Sequence, residues 1–358
     1  MIFILWCIAG LIHLAITGYL AIAFFRYQLG SKDHTPKFSI VIAAHNEEEN
    51  LKKFIPVLLS QSYKNFEIII GLDRCTDESE QFLKSIGSSV LKVVSISEVP
   101  DEWNPKKYAL SKITEQADGD WLIFTDADCV PNSNQWLDTI RKHINEKVSI
   151  LIGLSPYKSE NSFLSSYISF EAFHTGFLYI GRALQGKPYM GVGRNMAIRK
   201  FFFESSNKYD SIKSIQGGDD DLFIQSNANR SNTSVYLGKD SLVTTYPKKS
   251  WKEYFIQKLR HLSVAGRYKP SDQLFLTLFH VSHLLFLLLF FINTSHIFFF
   301  PVLLFYLFIK LVSYRFAASK MGVQINYILL PLVDMLYAVL TPVIAMWSKL
   351  VKDITWKN

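Results

Sequence analysis

Cysteine and charged residues are both scarce in this sequence of 358 residues. Its three cysteines, Cys7, Cys75 and Cys129, cannot all pair, so we expect no disulfide framework and a reducing environment. Only 19% of the residues are charged while 49% are hydrophobic, a composition that excludes a disordered protein and a nucleic-acid-binding tail. The sequence also lacks a Gly-x-Gly-x-x-Gly after its first predicted strand and a Gly-x-x-x-x-Gly-Lys-Ser/Thr motif, which disfavours dinucleotide and P-loop sites.

Charge is missing altogether from residues 2–25, a run long enough to cross a membrane as a helix of about 20 residues. The run is longer than the core of a typical signal peptide and basic residues follow it, which favours an anchor over a cleaved signal. Two more apolar runs, 274–292 and 297–313, predict a hairpin of spans. A fourth run, 327–347, carries Asp334 and is followed by lysines, so it is either a fourth span or a re-entrant or interfacial segment.

Basic residues next to these runs predict the orientation of the chain. The net charge is +7, and the clear spans are flanked by Arg26, Lys32, Lys310, Arg315 and Lys320. Because cytoplasmic loops carry an excess of Lys and Arg, we expect the middle of the chain to be cytoplasmic, in an integral protein of a bacterial cell membrane. We expect Asp334 to face protein rather than to act in function.

Between the apolar runs, short apolar strands alternate with helices. Strands are predicted at 38–44, 66–72, 90–96 and 121–125, and helices at 47–60, 77–86 and 106–117. This alternation is typical of an α/β domain with a mostly parallel sheet, in which ligands bind beyond the carboxyl ends of the strands. Polar residues follow three of these strands, at 45–47, 73–77 and 126–128.

Asp126 and Asp128 closely follow the buried run 121–125 and are spaced to face the same cavity. Their carboxylate oxygens suit Mg²⁺ or Mn²⁺, which are hard cations. A solvated turn of acidic residues is the simpler alternative. The position after a strand favours a metal site with both aspartates as ligands.

A second acidic group, Asp219, Asp220 and Asp221, follows two glycines at a predicted helix start. Carboxylates this close raise some of one another's pKa values, which suits a general base. Helix capping explains one or two of them without any catalytic role. Three in a row favour catalysis over capping alone.

Taken in order, the polar segments resemble the motifs of one protein family. They are His45-Asn-Glu-Glu, Asp73 with Thr76-Asp77, Lys106-x-x-Ala109-Leu110, Asp126-Ala-Asp128, Gly193-Arg-Asn195, Gly218-Asp-Asp220 and Gln257-x-x-Arg260. From about 38 to 268 the sequence resembles a membrane-integrated glycosyltransferase of family 2. The resemblance implies a GT-A fold, which is Rossmann-like. It also implies inverting transfer of a sugar from a nucleotide-diphosphate sugar, with UDP favoured, to a lipid-linked or membrane-associated acceptor.

The resemblance implies a role for each matching residue. Donor binding is implied for His45, Glu47, Asp73, Lys106, Asp126 and Arg260, and acceptor binding for Gly193, Asn195, Gln257 and His261. Asp128 is the expected direct ligand of Mg²⁺ or Mn²⁺, with Asp126 beside it. Aligned on Gly-Asp-Asp the general base is Asp220, which we favour, and aligned on the family's Glu-Asp-x-Asp-Leu it is Asp219.

At two places the sequence departs from the family pattern, and at a third its register is open. Leu72 and Arg74 replace the first Asp and the Gly of the usual Asp-Asp-Gly-Ser-Thr-Asp. This difference bears on which nucleotide base the protein prefers in its donor. His261 replaces the Trp of Gln-x-x-Arg-Trp. Lys107 follows Lys106 directly, so the sequence leaves open which lysine faces the donor.

The predictions divide the chain into a transmembrane anchor at 1–26, a transferase domain at 30–248, an interfacial amphipathic helix at 249–270 and a C-terminal membrane domain at 271–358. The aromatic helix predicted at 163–184 lies against the membrane or an acceptor channel, or packs in a core. Residues 190–199 are expected to form the family strand whose glycine lets the substrate approach closely. A processive polysaccharide synthase and a non-catalytic membrane scaffold are the competing functions.

Overall fold

Residues 1–30, 34–293 and 295–350 are described in the computed structural model of the chain. They form two compact units. The α/β unit consists of Gln28–Lys158 and Gly186–Tyr246, and the helical unit of Met1–Tyr27, Ser159–Gln185 and the chain from Pro247 onward. This division differs from the predicted domain at 30–248, because 159–185 belongs with the helices. Lys32 and 351–358, which entered the membrane predictions, lie outside the described residues.

The elements alternate through the first part of the chain as predicted. In chain order they are α1 (Ile2–Arg26), β1 (Phe38–Ala44), α2 (Glu48–Leu59), β2 (Phe66–Asp73), α3 (Ser79–Ser85), β3 (Leu91–Ile96), α4 (Pro105–Glu115), β4 (Trp121–Phe124), β5 (Cys129–Pro131), α5 (Trp136–Lys142), β6 (Ile150–Ile152), α6 (Phe163–Leu184), β7 (Met196–Arg199), α7 (Lys200–Ser205), α8 (Asp221–Asn227), β8 (Thr233–Val235), β9 (Val243–Thr245), α9 (Trp251–Ser263), α10 (Pro270–Phe290), α11 (Phe299–Met321) and α12 (Leu330–Ser348). Short 3-10 helices lie at Gly193–Asn195, Asp210–Ile212, Lys239–Ser241 and Ala265–Arg267. Each strand and helix predicted between 38 and 125 is present, and its bounds differ from the prediction by at most two residues.

A sheet of seven strands lies in the α/β unit, in the order β3-β2-β1-β4-β7-β6-β8. The pairs of β1 with β2 and β4, of β2 with β3 and of β6 with β8 are parallel, and β7 is antiparallel to both neighbours. The mostly parallel sheet expected from the sequence is therefore confirmed. Ile40, Val41 and Ile42 of β1 are fully buried because both faces of the sheet are covered, which explains why this strand is a continuous apolar run.

The register of the central strands positions the candidate site. Phe38 of β1 lies beside Phe66 of β2 and Trp121 of β4, so these three strands run side by side from a common level. Their carboxyl ends consequently reach the same edge of the sheet. The polar segments that follow them must meet there.

The helical unit contains α1, α6 and α9 to α12. Four of its helices, α1, α10, α11 and α12, are long and apolar enough to cross a membrane. The last, α12, is continuous over 19 residues, because Pro331 lies in its first turn, where no amide partner is needed, and only Pro342 is internal. The helix favours a fourth span at 327–347 over a broken re-entrant segment. The side of the membrane that the α/β unit faces stays a prediction.

Two further helices, α6 and α9, pack within the helical unit. Most of α6 is buried, so the core packing that the sequence left as one alternative is observed. A capping box, in which the Ser250 and Glu253 side chains bond each other's backbone amides, begins α9. Lys258 of α9 lies 2.9 Å from a carboxylate oxygen of Glu171 on α6. An interfacial position of α9 at a membrane stays a prediction.

Lys310 is not a flanking charge, so that prediction was wrong. Because α11 continues to Met321, Lys310 lies in the middle of the helix, with 5% of its side chain exposed. Its Nζ lies 2.7 Å from Oδ2 of Asp334 on α12, and Nε2 of His283 on α10 lies 3.2 Å from the same oxygen. Asp334 therefore faces protein, as expected. The prediction ended the span near the first charge, whereas a buried partner lets the helix carry that charge.

Candidate active site

Hydrogen bonds join the loops that follow β1 and β2 at the carboxyl edge of the sheet. Nδ1 of His45 lies 2.6 Å from the carbonyl oxygen of Asp73, and the Thr76 amide donates to Oδ1 of Asn46 at 2.8 Å. Asn46 has a left-handed φ of 53°, a conformation that Asn adopts more readily than most residues. The two loops therefore form one surface that carries His45, Glu47 and Asp73.

The carboxylate of Asp73 is already paired. Nε of Arg74 donates to its Oδ1 at 2.8 Å and Nη2 to its Oδ2 at 3.1 Å, so one guanidinium covers both oxygens. Glu47, just before α2, accepts from Nδ2 of Asn50 at 2.6 Å. Both carboxylates that the resemblance assigns to the donor thus lie at the sheet edge, and each accepts a hydrogen bond from a nearby side chain.

Asp126 and Asp128 follow β4 at the same edge. Asp128 is exposed and Asp126 half-buried, and a carboxylate oxygen of each lies within 4.8 Å of the other and of Sγ of Cys129. Burial and the charge of Asp128 raise the pKa of the Cys129 thiol well above its usual value, so the thiol stays protonated and donates to Asp128 at 3.2 Å. The two carboxylates therefore fit a hard divalent cation, whereas Cys129 does not.

Lys106 connects the two acidic groups. Its Nζ lies 2.8 Å from Oδ1 of Asp126 and 3.1 Å from Oδ2 of Asp219. Burial alone would lower the pKa of Lys106, but the two carboxylates outweigh it and raise the pKa well above its usual value. Lys106 is therefore a fixed cation between two carboxylates.

The neighbouring Lys107 points elsewhere. Its Nζ donates to the carbonyl oxygens of Ile212, Ile215 and Gly217, at distances of 2.7 to 2.8 Å. Consecutive residues of a helix differ in direction by about 100°, so only one of the two lysines can face the carboxylates. Lys106 is therefore the lysine that lines the cleft, and its role toward the donor stays a prediction.

The acidic loop before α8 begins with two glycines in left-handed conformations. Gly217 and Gly218 have φ of 73° and 70°, which other residues rarely adopt. Oδ2 of Asp220 accepts from the Gly193 amide and Oδ1 from the Asp221 amide, both at 2.8 Å. Asp220 is therefore the N-cap of α8, as the capping alternative expected, and it also contacts the backbone of Gly193.

Asp219 and Asp220 have pKa values shifted in opposite directions. Burial alone would raise the pKa of Asp219, but Lys106 outweighs burial and holds it below its usual value. Burial and the adjacent charge of Asp219 raise the pKa of Asp220. Neighbouring carboxylates whose pKa values are pushed apart are typical of acid–base sites.

A cleft brings these groups together. It is lined by Lys106, Leu110, Phe124, Thr125, Asp126, Gly193, Met196, Tyr209, Asp219 and Asp220. Sequence reasoning missed Tyr209, whose pKa is raised by burial and by Asp219, because a lone tyrosine between motifs forms no pattern. It also missed Thr125, although its place at the end of the β4 run was a usable signal. The Thr125 hydroxyl is buried and has no hydrogen-bond partner among the described residues.

Asn195 does not face the site, so its predicted role in acceptor binding was wrong. Its side chain is fully buried, and Nδ2 donates to the carbonyl oxygens of Leu154 and Ser241 at 2.7 and 2.8 Å. Oδ1 accepts from Nε1 of Trp136 at 3.0 Å and from the Tyr236 hydroxyl at 2.6 Å. Both donors and both lone pairs are thus used inside the protein, and none is left for a ligand.

The strand predicted at 190–199 was wrong in its first half. Only Met196–Arg199 forms a strand, and Gly193–Asn195 is a 3-10 helix. The glycines of this segment weaken strand formation. Gly193 nevertheless lines the cleft, where a Cβ would lie 3.4 Å from Oδ2 of Asp220, so its backbone closely approaches that carboxylate.

Three predicted site residues lie on α9, in the helical unit. Gln257 and Arg260 are half-buried there and His261 is exposed. Their roles toward donor and acceptor stay predictions.

Residues 39–206 match the sequence model of glycosyl transferase family 2. A structure of a mannosyltransferase from Pyrobaculum calidifontis in complex with GDP-Man and Mn²⁺ superimposes with a TM-score of 0.59. The match covers 96% of this chain and 99% of that one at 14% sequence identity, and it confirms the GT-A fold.

Two characterised proteins are similar over part of the chain. One is the UDP-Glc:alpha-D-GlcNAc-diphosphoundecaprenol beta-1,3-glucosyltransferase of Escherichia coli, 30% identical over 129 residues, which are 35% of this chain and 48% of that protein. The other is the 4,4'-diaponeurosporenoate glycosyltransferase of Staphylococcus haemolyticus, 29% identical over 124 residues, which are 34% of this chain and 32% of that protein. The chain thus spans between about a third and a half of the length of these relatives.

Proposed function

We propose that the protein is an inverting membrane glycosyltransferase that moves a sugar from a nucleotide-diphosphate sugar to a lipid-linked or membrane-associated acceptor. The observation that carries this proposal is the convergence of Lys106, Asp126, Asp219 and Asp220 on one cleft. The match of residues 39–206 to the family 2 model supports the proposal. The E. coli relative also supports it, because its name gives a UDP-sugar and a sugar linked to diphosphoundecaprenol. UDP is the favoured donor nucleotide.

Asp128 and Asp126 are the proposed ligands of Mg²⁺ or Mn²⁺. Their oxygens are close enough to share one ion, and the Pyrobaculum mannosyltransferase was solved with Mn²⁺. A divalent ion bound there supplies positive charge for the two phosphates of the donor. Lys106, held by Asp126, adds a fixed positive charge beside it.

Asp220 is the proposed general base. It takes the proton of the acceptor hydroxyl while the acceptor oxygen bonds to the anomeric carbon. The bond from that carbon to the diphosphate oxygen breaks, and its electron pair stays on the diphosphate. Each oxygen of Asp220 accepts one amide hydrogen and keeps a second lone pair for the proton. Its raised pKa makes Asp220 a better base than Asp219, whose carboxylate is paired with Lys106.

The remaining roles follow the family resemblance. The nucleoside is assigned to the surface that carries His45, Glu47 and Asp73, the pyrophosphate to Arg260, and the acceptor to Gly193, Gln257 and His261. Arg260 suits pyrophosphate because a guanidinium can donate two hydrogen bonds to a phosphate group.

The α/β unit is proposed to be cytoplasmic, because Arg26 and Lys320 lie in the last turns of α1 and α11. With Cys75 replaced by serine, Lys53→Cys in the α/β unit should react with an impermeant maleimide only after cells are permeabilised. Phe298→Cys, in the α10–α11 connection, is the matched control and should react in intact cells. The opposite labelling pattern would reverse the orientation.

The transfer itself is tested on membranes that contain the full chain. They are incubated with Mn²⁺ and a panel of labelled nucleotide-sugars, and lipid and polymer fractions are separated. We expect label in a discrete lipid with one donor, and its loss in Asp220→Asn. Asp240→Asn, at an exposed residue that does not line the cleft, should keep full transfer. A polymer ladder would favour a processive synthase, and no label with any donor would overturn the proposal.

A further inference from the structure

Arg74 has a backbone conformation that suits glycine. Its φ is 46°, in the left-handed region that ordinary side chains disfavour. The backbone is fixed there, because the Arg74 amide donates to the carbonyl oxygen of Ile96 at 2.9 Å, directly after the end of β2. A strained residue at the edge that carries the candidate site points to a functional reason for its side chain.

The side chain of Arg74 covers Asp73. Its guanidinium bonds both carboxylate oxygens, at 2.8 and 3.1 Å. Only 2% of the Asp73 side chain is exposed, against 44% of the Arg74 side chain. A ligand that approaches this end of β2 from solvent therefore meets the guanidinium before it meets the carboxylate.

We propose that Arg74 contacts the base of the donor nucleotide and that Asp73 acts as the positioning residue that holds it. This inference rests on the proposed function and assigns its substrate class, a nucleotide with a keto base. A guanidinium has five N–H donors and no acceptor, and only two of the five are used on Asp73. The others suit O4 of uracil or O6 of guanine, and not the amino group at the corresponding place of cytosine or adenine.

The opposite assignment, in which Asp73 itself accepts from the base, makes a different prediction for Arg74. In that case Arg74 competes with the base for the Asp73 oxygens, so its removal would strengthen binding. If Arg74 contacts the base, its removal weakens binding. Since Asp73 then acts only through Arg74, the effects of removing the two residues are not additive.

The test measures binding of UDP and CDP, with Mn²⁺, to the purified full chain. We expect Arg74→Gly to weaken UDP binding roughly 10-fold, with little change for CDP, so that the preference for UDP falls. Asp73→Ala should also weaken UDP binding. The double variant should bind UDP as tightly as whichever single variant has the lower affinity. Arg74→Lys keeps the positive charge but lacks the planar pair of N–H donors, so it should also lose the preference for UDP over CDP. If Arg74 instead contacted phosphate, its removal would weaken the binding of UDP and CDP equally.

Arg74→Gly relieves the strain at position 74 but leaves the buried Asp73 carboxylate without its counter-charge, so its melting temperature is measured beside binding. The double variant Arg74→Gly, Asp73→Ala has neither the strain nor the unpaired carboxylate, so it should melt near the wild type and still lose the preference for UDP. Unchanged or tighter UDP binding by Arg74→Gly, with an unchanged preference over CDP, would overturn the inference and leave the proposed function intact. Failure of the wild type to bind any of UDP, GDP, CDP and ADP would overturn both.

Discussion

Two lysines, one in each unit, are held by carboxylates in different ways. Lys106 of the α/β unit is shared between Asp126 and Asp219, and 21% of its side chain is exposed. Lys310 of the helical unit has Asp334 as its one acidic partner among the described residues, and 5% of its side chain is exposed. The same kind of ion pair therefore lies at a cleft in one case and inside a helical core in the other.

The balance of charge explains what each cluster can do. Among the lining residues of the cleft, Lys106 is the only cation beside Asp126, Asp219 and Asp220, so the cleft carries excess negative charge and can attract a metal ion. Around Lys310, one lysine balances one aspartate. A balanced buried pair in apolar helices suits packing rather than the binding of a charged substrate.

The largest expected effect is at the proposed metal ligand. Asp128→Asn should abolish transfer together with its dependence on Mg²⁺ or Mn²⁺, because one carboxylate charge is lost from the pair. The fold should be retained, since Asp128 is exposed. Initial rates at increasing Mn²⁺ check this, with Asp240→Asn as the control. Metal-stimulated turnover in the variant would show that the Asp126–Asp128 assignment is wrong.

The next effect separates base from binder. Asp220→Asn should lower turnover by about 10²–10⁴-fold and leave donor binding nearly unchanged, as expected for loss of a general base. Turnover and binding of UDP are measured on the same preparation. If Asp219→Asn abolishes turnover and Asp220→Asn lowers it only slightly, the general base is Asp219. If both variants are mild, Asp220 is only a helix cap and the mechanism fails.

The helical cluster should respond in stability rather than in chemistry. Lys310→Met should cost about 3–5 kcal/mol of stability in detergent, because it leaves the buried Asp334 carboxylate without its counter-charge. The double variant Lys310→Met, Asp334→Leu should recover most of that loss. Unfolding curves of the two single variants and the double variant check this. Additive losses would show that the two residues do not act as a pair.

The smallest expected effect is on the pH dependence of transfer. As a base, Asp220 must be ionised, so activity falls as pH falls through its pKa, which lies above that of an ordinary aspartate. Rates between about pH 4 and 8 should show this acid limb in the wild type. The residual activity of Asp220→Asn should lack it. An identical limb in both would assign the titration to another group.

Repeating patterns in the sequence predicted the fold well. Runs such as 38–44 and 121–125 are short, apolar and separated by amphipathic helices, and this pattern alone defines a parallel sheet and its carboxyl edge. Asp73 ends one parallel strand, and Asp126 and Asp128 follow another. Their positions at that edge can therefore be predicted without any knowledge of side-chain contacts.

Side-chain partners could not be predicted in the same way. The burial of Asn195 depends on four groups distant in sequence, and the pairing of Lys310 depends on a helix that comes later in the chain. The choice between Lys106 and Lys107 depends on where α4 begins, a boundary that patterns fix only to within a few residues. Each of these is a tertiary contact, which a local pattern does not encode.

The most direct test of the contrast between the two clusters is to measure Mn²⁺ binding to the purified full chain. Binding is monitored as a decrease in the spin-resonance signal of free Mn²⁺. In the presence of UDP we expect one ion to bind to the wild type, and the double variant Asp126→Asn, Asp128→Asn to lose it. The double variant Lys310→Met, Asp334→Leu should bind Mn²⁺ like the wild type. Equal Mn²⁺ binding by the wild type and the Asp126→Asn, Asp128→Asn variant would contradict the account, because these two carboxylates would then have no role in holding a metal.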